Sequence, residues 1–232
     1  LMASGISILA PASYAAQKLT RKQKKENQYL GTALSAFEMK QYDTAIEYYT
    51  KAIELNPTNS ESYAKRANAK YLLGNYKDAV KDYTSALEID PNQENIYYNR
   101  GIANTNLKAY DDVIADYTKE LEVNPKNINA YLNRGTTKVM LNKFDEAISD
   151  FSKAIELDAK NEMAYYNRGI AKRCNKDYKG ALADYSKVIE LDSKSADAYN
   201  NRGVAKYYLK DYSGAIADYA KVVELNKNFK RV

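Results

Sequence analysis

The sequence repeats itself every 34 residues. Residues 196–229 laid over 162–195 place Tyr199 on Tyr165, Arg202 on Arg168, Gly203 on Gly169 and Tyr219 on Tyr185. The register continues through 128–161, 94–127 and 60–93 and, more loosely, through 26–59, giving six copies without insertion or deletion. A period of this length constrains the chain to a solenoid of supersecondary units, because one unit cannot bury its apolar face alone and is stable only as part of a stack. It overrides the one or two globular domains that length alone would suggest.

Within each copy, apolar residues recur at three- and four-residue steps in two blocks. They predict one helix over repeat positions 2–14 and a second over positions 18–31. Asn or Asp follows the second block in every copy, and Pro57, Pro91 and Pro125 come next, where a helix should stop. Position 4 is aromatic throughout (Tyr29, Tyr63, Tyr97, Tyr131, Tyr165, Tyr199), and position 8 is small (Ala33, Ala67, Gly101, Gly135, Gly169, Gly203). Position 20 is Ala except for Val113, and position 24 is Tyr or Phe. This pattern resembles the tetratricopeptide repeat family. The resemblance implies an all-α, right-handed superhelical solenoid over 26–229, preceded by a segment 1–25 and followed by a tail 230–232. For function it implies only a protein-binding surface, and since no nucleophile–base pair, Gly-rich phosphate loop or ligand spacing appears, no enzymatic activity is expected.

Composition narrows the chemistry. The chain has no His, no Trp and a single Cys, which excludes His- or Cys-cluster metal sites, His-based triads and an intramolecular disulfide. No cofactor-binding motif occurs, and Cys174 reads as a small side chain that packs or faces the groove. The net charge of +5 belongs to Lys18, Arg21, Lys22, Lys24 and Lys25, which no acidic residue accompanies in 1–25. The repeats themselves are charge-balanced, and a solenoid that wraps phosphates should be basic along one face, so nucleic acid is not an expected partner.

Residues 1–16 stand apart, with no charge, an apolar run from Gly5 to Ala10, and small residues around Ala15. They read as the apolar region and cleavage site of an export signal, lacking its basic start. On that reading the protein is periplasmic, lumenal or secreted, which we prefer over a cytoplasmic location. An apolar arm packed on the first repeat, or on a neighbouring molecule, is the alternative reading. The stretch is too short and too weakly apolar to span a bilayer, and no transmembrane segment is expected. Ser13 is placed to cap a helix running into the first repeat.

Two positions vary together. Arg at position 7 (Arg66, Arg100, Arg134, Arg168, Arg202) accompanies Asp at position 23 (Asp82, Asp116, Asp150, Asp184, Asp218), and the first repeat lacks both, with Thr32 and Tyr48. Co-occurrence within one chain predicts a charge-assisted bond between the two helices of a unit.

The resemblance assigns the concave wall to positions 2, 5, 9, 12 and 13. The candidate groove residues are therefore Asn68, Tyr71 and Leu72, then Asn95, Tyr98 and Ile102, then Asn129, Leu132 and Val139. Met163, Tyr166, Ile170 and Arg173 follow, and Tyr207 closes the row. Six of the nine aromatics outside positions 4, 17 and 24 (Phe37, Tyr71, Tyr98, Tyr166, Tyr207, Tyr208) fall on this wall, which suits a partner's apolar side chains. The family's C-terminal-carboxylate grip needs Lys at position 5, which no copy has. An amide ladder at position 6 (Asn99, Asn133, Asn167, Asn201) could bond a peptide backbone.

The reading is a non-enzymatic scaffold or adaptor that binds a peptide segment of another protein in the concave groove. The alternative is a solenoid that self-associates, forming a homo-oligomer through its uncapped C-terminal repeat. There Ala215, Ile216, Tyr219, Val222, Val223 and Leu225 keep an internal repeat's apolar pattern, and Phe229 is positioned to fold back over part of it.

Overall fold

A computed structural model describes residues 19–229, with side chains described through Asn226. Twelve helices follow one another in six pairs: α1 (Arg21–Glu38) with α2 (Tyr42–Leu55), α3 (Ser60–Leu72) with α4 (Tyr76–Ile89), and α5 (Ile96–Asn106) with α6 (Tyr110–Val123). The remaining pairs are α7 (Ile128–Met140) with α8 (Phe144–Leu157), α9 (Glu162–Cys174) with α10 (Tyr178–Leu191), and α11 (Ala196–Tyr208) with α12 (Tyr212–Phe229). Each helix packs on its pair partner and on the next pair, which is the solenoid expected from the period.

Local chemistry sets the boundaries. The first helix of every unit ends at position 15 in a left-handed residue: Lys40, Gly74, Lys108, Asn142, Lys176 or Lys210. The next N–H then bonds back to the carbonyl at position 11, as in Asn75 to Lys70 (2.9 Å) and Asp177 to Lys172 (2.8 Å), satisfying carbonyls that the helix end would otherwise leave bare. Asn59, Asn127 and Asn161 cap α3, α7 and α9 by accepting an N–H of the first turn. Gln93 holds that place before α5. Its longer side chain makes no cap, Asn95 turns left-handed (φ 64°), and the helix starts late at Ile96.

Three expectations are corrected. The helices run one position earlier than predicted, at about positions 1–13 and 17–30. Ser13 lies outside the described residues, as do the export signal, the apolar arm and the tail 230–232. α1 instead starts at Arg21, where Thr20 and Gln23 cap each other reciprocally. α12 does not stop at Asn226 but continues to Phe229, whose side chain is outside the description.

The core is built from alanine and one large ring per unit. Ala33, Ala45, Ala67, Ala79, Ala147, Ala164 and Ala181 are fully buried, and so are the position-24 rings of the first five units. The small residue at position 8 is what lets each ring in: a Cβ on Gly135 would come within 2.8 Å of Phe151 Cε1, and one on Gly169 within 2.7 Å of Tyr185 Cε1. Aromatics at positions 4 and 17 are only half-buried, and Tyr212 in the last unit is exposed.

The predicted Arg–Asp bond is present in all five units. Arg134 donates from Nε and Nη2 to Asp150 at 3.0 and 2.6 Å, and Arg66, Arg168 and Arg202 repeat this two-pronged grip on Asp82, Asp184 and Asp218. Two further partners extend it. The third guanidinium nitrogen reaches back to the hydroxyl of Thr50, Thr84, Thr118, Ser152 or Ser186 on the preceding unit. Lys70, Lys138, Lys172 and Lys206 add a second cation to the Asp. In the third unit Asn104 replaces that Lys and donates to Asp116 at 2.9 Å. Each guanidinium also lies over the Tyr three residues before it, 5.3 to 5.8 Å from the ring centre. The result is a strut that ties helix to helix and unit to unit.

Candidate protein-binding groove

The first helices of successive units set their positions 6, 9, 12 and 13 side by side. At the N-terminal end they enclose a depression of about 280 Å³ lined by Phe37, Asn68, Tyr71, Leu72, Asn99 and Ile102, with Tyr83 beneath. Tyr83 donates to Asn68 Oδ1 at 2.6 Å, which fixes the amide. Burial pushes the Tyr83 hydroxyl well above its usual range, so it remains a donor. Tyr71 packs on Tyr76 (5.3 Å between ring centres) and accepts from Asn106. Leu72 is half exposed (50%), an apolar side chain held open to an incoming partner. A second hollow of about 270 Å³ lies between α1 and α3, lined by Leu30, Leu34, Glu61, Ser62 and Lys65 among others. The buried Ser62 hydroxyl has no partner there.

Further along, the wall changes character. Tyr98 is half-buried against Tyr117 and accepts from Asn133. Asn129, Met140 and Met163 are exposed, whereas Val139 and Ile170 are half-buried. Leu132 is buried at 6% and works in the core between units. Asn95, ahead of its helix, is exposed. Tyr166 stands over Tyr185 and accepts from Asn201 at 2.9 Å. Arg173 is half-buried and Cys174 is exposed. Tyr207 joins Tyr208 and Tyr212 in an aromatic group, and Tyr178 stacks on Tyr208 at 4.5 Å.

The amide ladder is half committed. Asn133 donates to Tyr98 and Tyr117, and Asn201 donates to Tyr166 and to the Asp197 carbonyl. Asn99 and Asn167 make no side-chain hydrogen bond among the described residues. Sequence explains the difference: an Asn at position 6 is tied down where the preceding unit has Tyr at position 5. Ala64 and Leu132, which precede the other two, offer no hydroxyl.

Among the described residues no group of His, Cys, Asp and Glu is arranged to hold a metal. No described helix is long and apolar enough to cross a membrane. The Lys at position 11 and the hydroxyl at position 25 escaped the sequence reading. Their signal was available, since Ser or Thr fills position 25 in the first five units and Ala220 in the last.

Fold and groove together define an all-helical repeat scaffold. Profiles described as TPR repeat match residues 67–108, 137–172 and 175–209, and profiles described as tetratricopeptide repeat match 27–59, 196–229 and 48–81. The chain belongs to the tetratricopeptide repeat family, a family of protein-binding scaffolds. No curated protein is similar enough to match. Among solved structures it resembles YrrB, described as a TPR protein with an unusual peptide-binding site. The two are 26% identical with a TM-score of 0.70, over 78% of this chain and 93% of that one. MamA from Desulfovibrio magneticus RS-1 is 19% identical with a TM-score of 0.69, over 73% and 96% of the two chains. A tetratricopeptide repeat protein from Parabacteroides merdae is 21% identical with a TM-score of 0.72, over 87% and 80%.

Proposed function

We infer that the protein is a non-enzymatic adaptor that holds a segment of another protein in the concave groove. The observation that carries this reading is the depression walled by Phe37, Tyr71, Leu72 and Ile102, with the Asn99 amide at its edge. An apolar hollow beside an uncommitted amide suits a peptide, which brings both side chains and backbone polar groups. The peptide-binding site in the description of YrrB accords with it. The test is selection of a random peptide library on the full chain, followed by affinity measurement on wall variants. Binding that is lost on Leu72→Glu supports the groove. Binding indifferent to wall substitutions refutes it.

A second reading, self-association through α12, has its own observation. Ile216 is 68% exposed and Val223 53%, and the Tyr219 ring is 36% exposed where its five equivalents are nearly dry. Apolar patches of this kind mark contacts. Sedimentation across a concentration range separates the readings: a monomer throughout removes the second.

A further inference from the structure

At positions 5, 9 and 12 of all six units the wall carries one charged side chain, Arg173. Its surroundings differ from those of the strut arginines. Each of those is matched by an Asp, whereas Arg173 has no carboxylate within ion-pair distance among the described residues. Among the described residues its Nε is buried without an acceptor in hydrogen-bond geometry, and the fully buried Tyr185 hydroxyl beside it has no aligned partner either. The guanidinium and the hydroxyl are near enough for Arg173 to donate weakly to Tyr185 outside good hydrogen-bond geometry, a contact that uses the hydroxyl as acceptor and leaves its O–H free.

The second and third units show what the fifth lacks. Tyr83 donates to Asn68 at position 9, and Tyr117 accepts from Asn133. In the fifth unit position 9 is Ile170, apolar as in the first, third and sixth units, and Asn201 donates to Tyr166 and not to Tyr185. Tyr166 adds a third donor, since its oxygen accepts from Asn201 and its own O–H has no partner among the described residues. Burial pushes the Tyr185 hydroxyl up to about 12, with Arg173 beside it opposing the rise, so it stays protonated at neutral pH. Guanidinium, Tyr185 and Tyr166 thus offer donors and lack an acceptor. An acceptor-rich, negatively charged group matches this surplus best, because it adds charge pairing with the guanidinium to the bonds a neutral carbonyl could accept, whereas an ammonium or an amide N–H would add to the surplus. Asp197 acts on Tyr166 but makes no ion pair with the guanidinium.

We propose that this part of the groove is a carboxylate subsite, in which the half-buried Arg173 and Tyr166, backed from beneath by the buried Tyr185, take an acidic side chain of the bound protein segment. It rests on the adaptor reading above and adds the chemistry of the partner: an Asp or Glu at a fixed distance from the apolar residues that fill the hollow at Tyr71 and Leu72.

The test uses the full chain and a random peptide library. Selected peptides should share an Asp or Glu in register with their apolar residues. Replacing that acid by its amide should weaken binding about tenfold or more, the worth of a charged hydrogen-bonded pair. The same replacement should cost nothing on Arg173→Gln. Tyr185→Phe, which keeps a ring that Phe151 shows the fold accepts at this position, should show a reduced penalty. An amide analogue that binds wild type equally well, or a penalty that persists on Arg173→Gln, overturns the subsite while leaving the groove intact. Loss of binding on amidating the peptide's C-terminus instead overturns the side-chain assignment. If no peptide is selected, or binding ignores both Leu72→Glu and Tyr207→Glu, the adaptor reading falls and takes the subsite with it.

Discussion

The strut and the concave wall lie on the same helices and obey opposite rules. The strut is nearly invariant: five units repeat Arg, Asp and a tyrosine face, and five hydroxyls receive the arginine of the next unit. The wall differs from unit to unit, with Phe37, Tyr71 and Leu72 at one end and Tyr166 and Arg173 towards the other. Repetition encodes what every unit must do to stack, and departure from repetition encodes what a partner meets. Substitutions in the strut should therefore unfold the array without regard to ligand, and substitutions at exposed wall positions should do the reverse.

The largest effect is expected at the buried ion pair. Asp150→Ala leaves Arg134 and Lys138 without their shared carboxylate and should cost about 3–5 kcal/mol in urea unfolding, and Arg134→Ala, which leaves Asp150 to Lys138 alone, should cost less. The double mutant should cost clearly less than the sum, and strict additivity would break the strut. Thr118→Val removes the acceptor that joins Arg134 to the preceding unit and should cost about 1 kcal/mol.

Asn104→Lys sharpens the comparison by completing the one strut that lacks its second cation. Burial raises the Asp116 pKa, and its bonds to Arg100 and Asn104 only partly offset this. At Asp218 burial acts the same way, but Arg202 and Lys206 outweigh it and the net direction is down. Asp116 binds protons more tightly folded than unfolded, so its contribution falls as pH rises from the usual carboxylate range through its raised pKa. The added Lys should reverse that slope. A stabilisation of about 1 kcal/mol is expected above the carboxylate range, and it should vanish on acidification as Asp116 protonates. A gain that survives at acid pH would mean that the Lys acts elsewhere. The smallest effect on folding belongs to Ile216→Lys with Val223→Glu. Both sites are exposed, so stability should stay within about 0.5 kcal/mol. If α12 joins two copies, the mass should drop to that of a monomer. An unchanged oligomer removes α12 as its interface.

These expectations divide along the line of what the sequence makes legible. The period, the helix pairs, the small residue beneath each ring and the Arg–Asp bond could all be read, because each recurs and recurrence separates a constraint from an accident. The late start of α5 was not foreseen. It follows from Gln93 standing where three units have a capping Asn, a difference of one methylene in side-chain reach. The burial of individual wall positions was not legible. Leu132 has a groove position and a core burial, and Asn133 and Asn201 turned out to be tied to Tyr98 and Tyr166. Such commitments depend on which hydroxyl the neighbouring unit supplies, a relation across 35 residues that a single-unit motif does not express. Arg173 was legible as a wall residue, but its missing acceptor was not, because that depends on Ile170, Tyr166 and Tyr185 together.

The central claim is that a partner segment lies on the wall formed by the first helices. Its most direct test is the affinity of one library-selected peptide for the wild type, for Leu72→Glu on α3 and for Lys81→Glu, exposed on α4. The account predicts a loss of at least about tenfold for Leu72→Glu, as for a residue at the centre of an interface, and no change for Lys81→Glu, with both variants as stable as the parent. Equal binding by Leu72→Glu and loss on Lys81→Glu would contradict it and move the binding surface to the second helices.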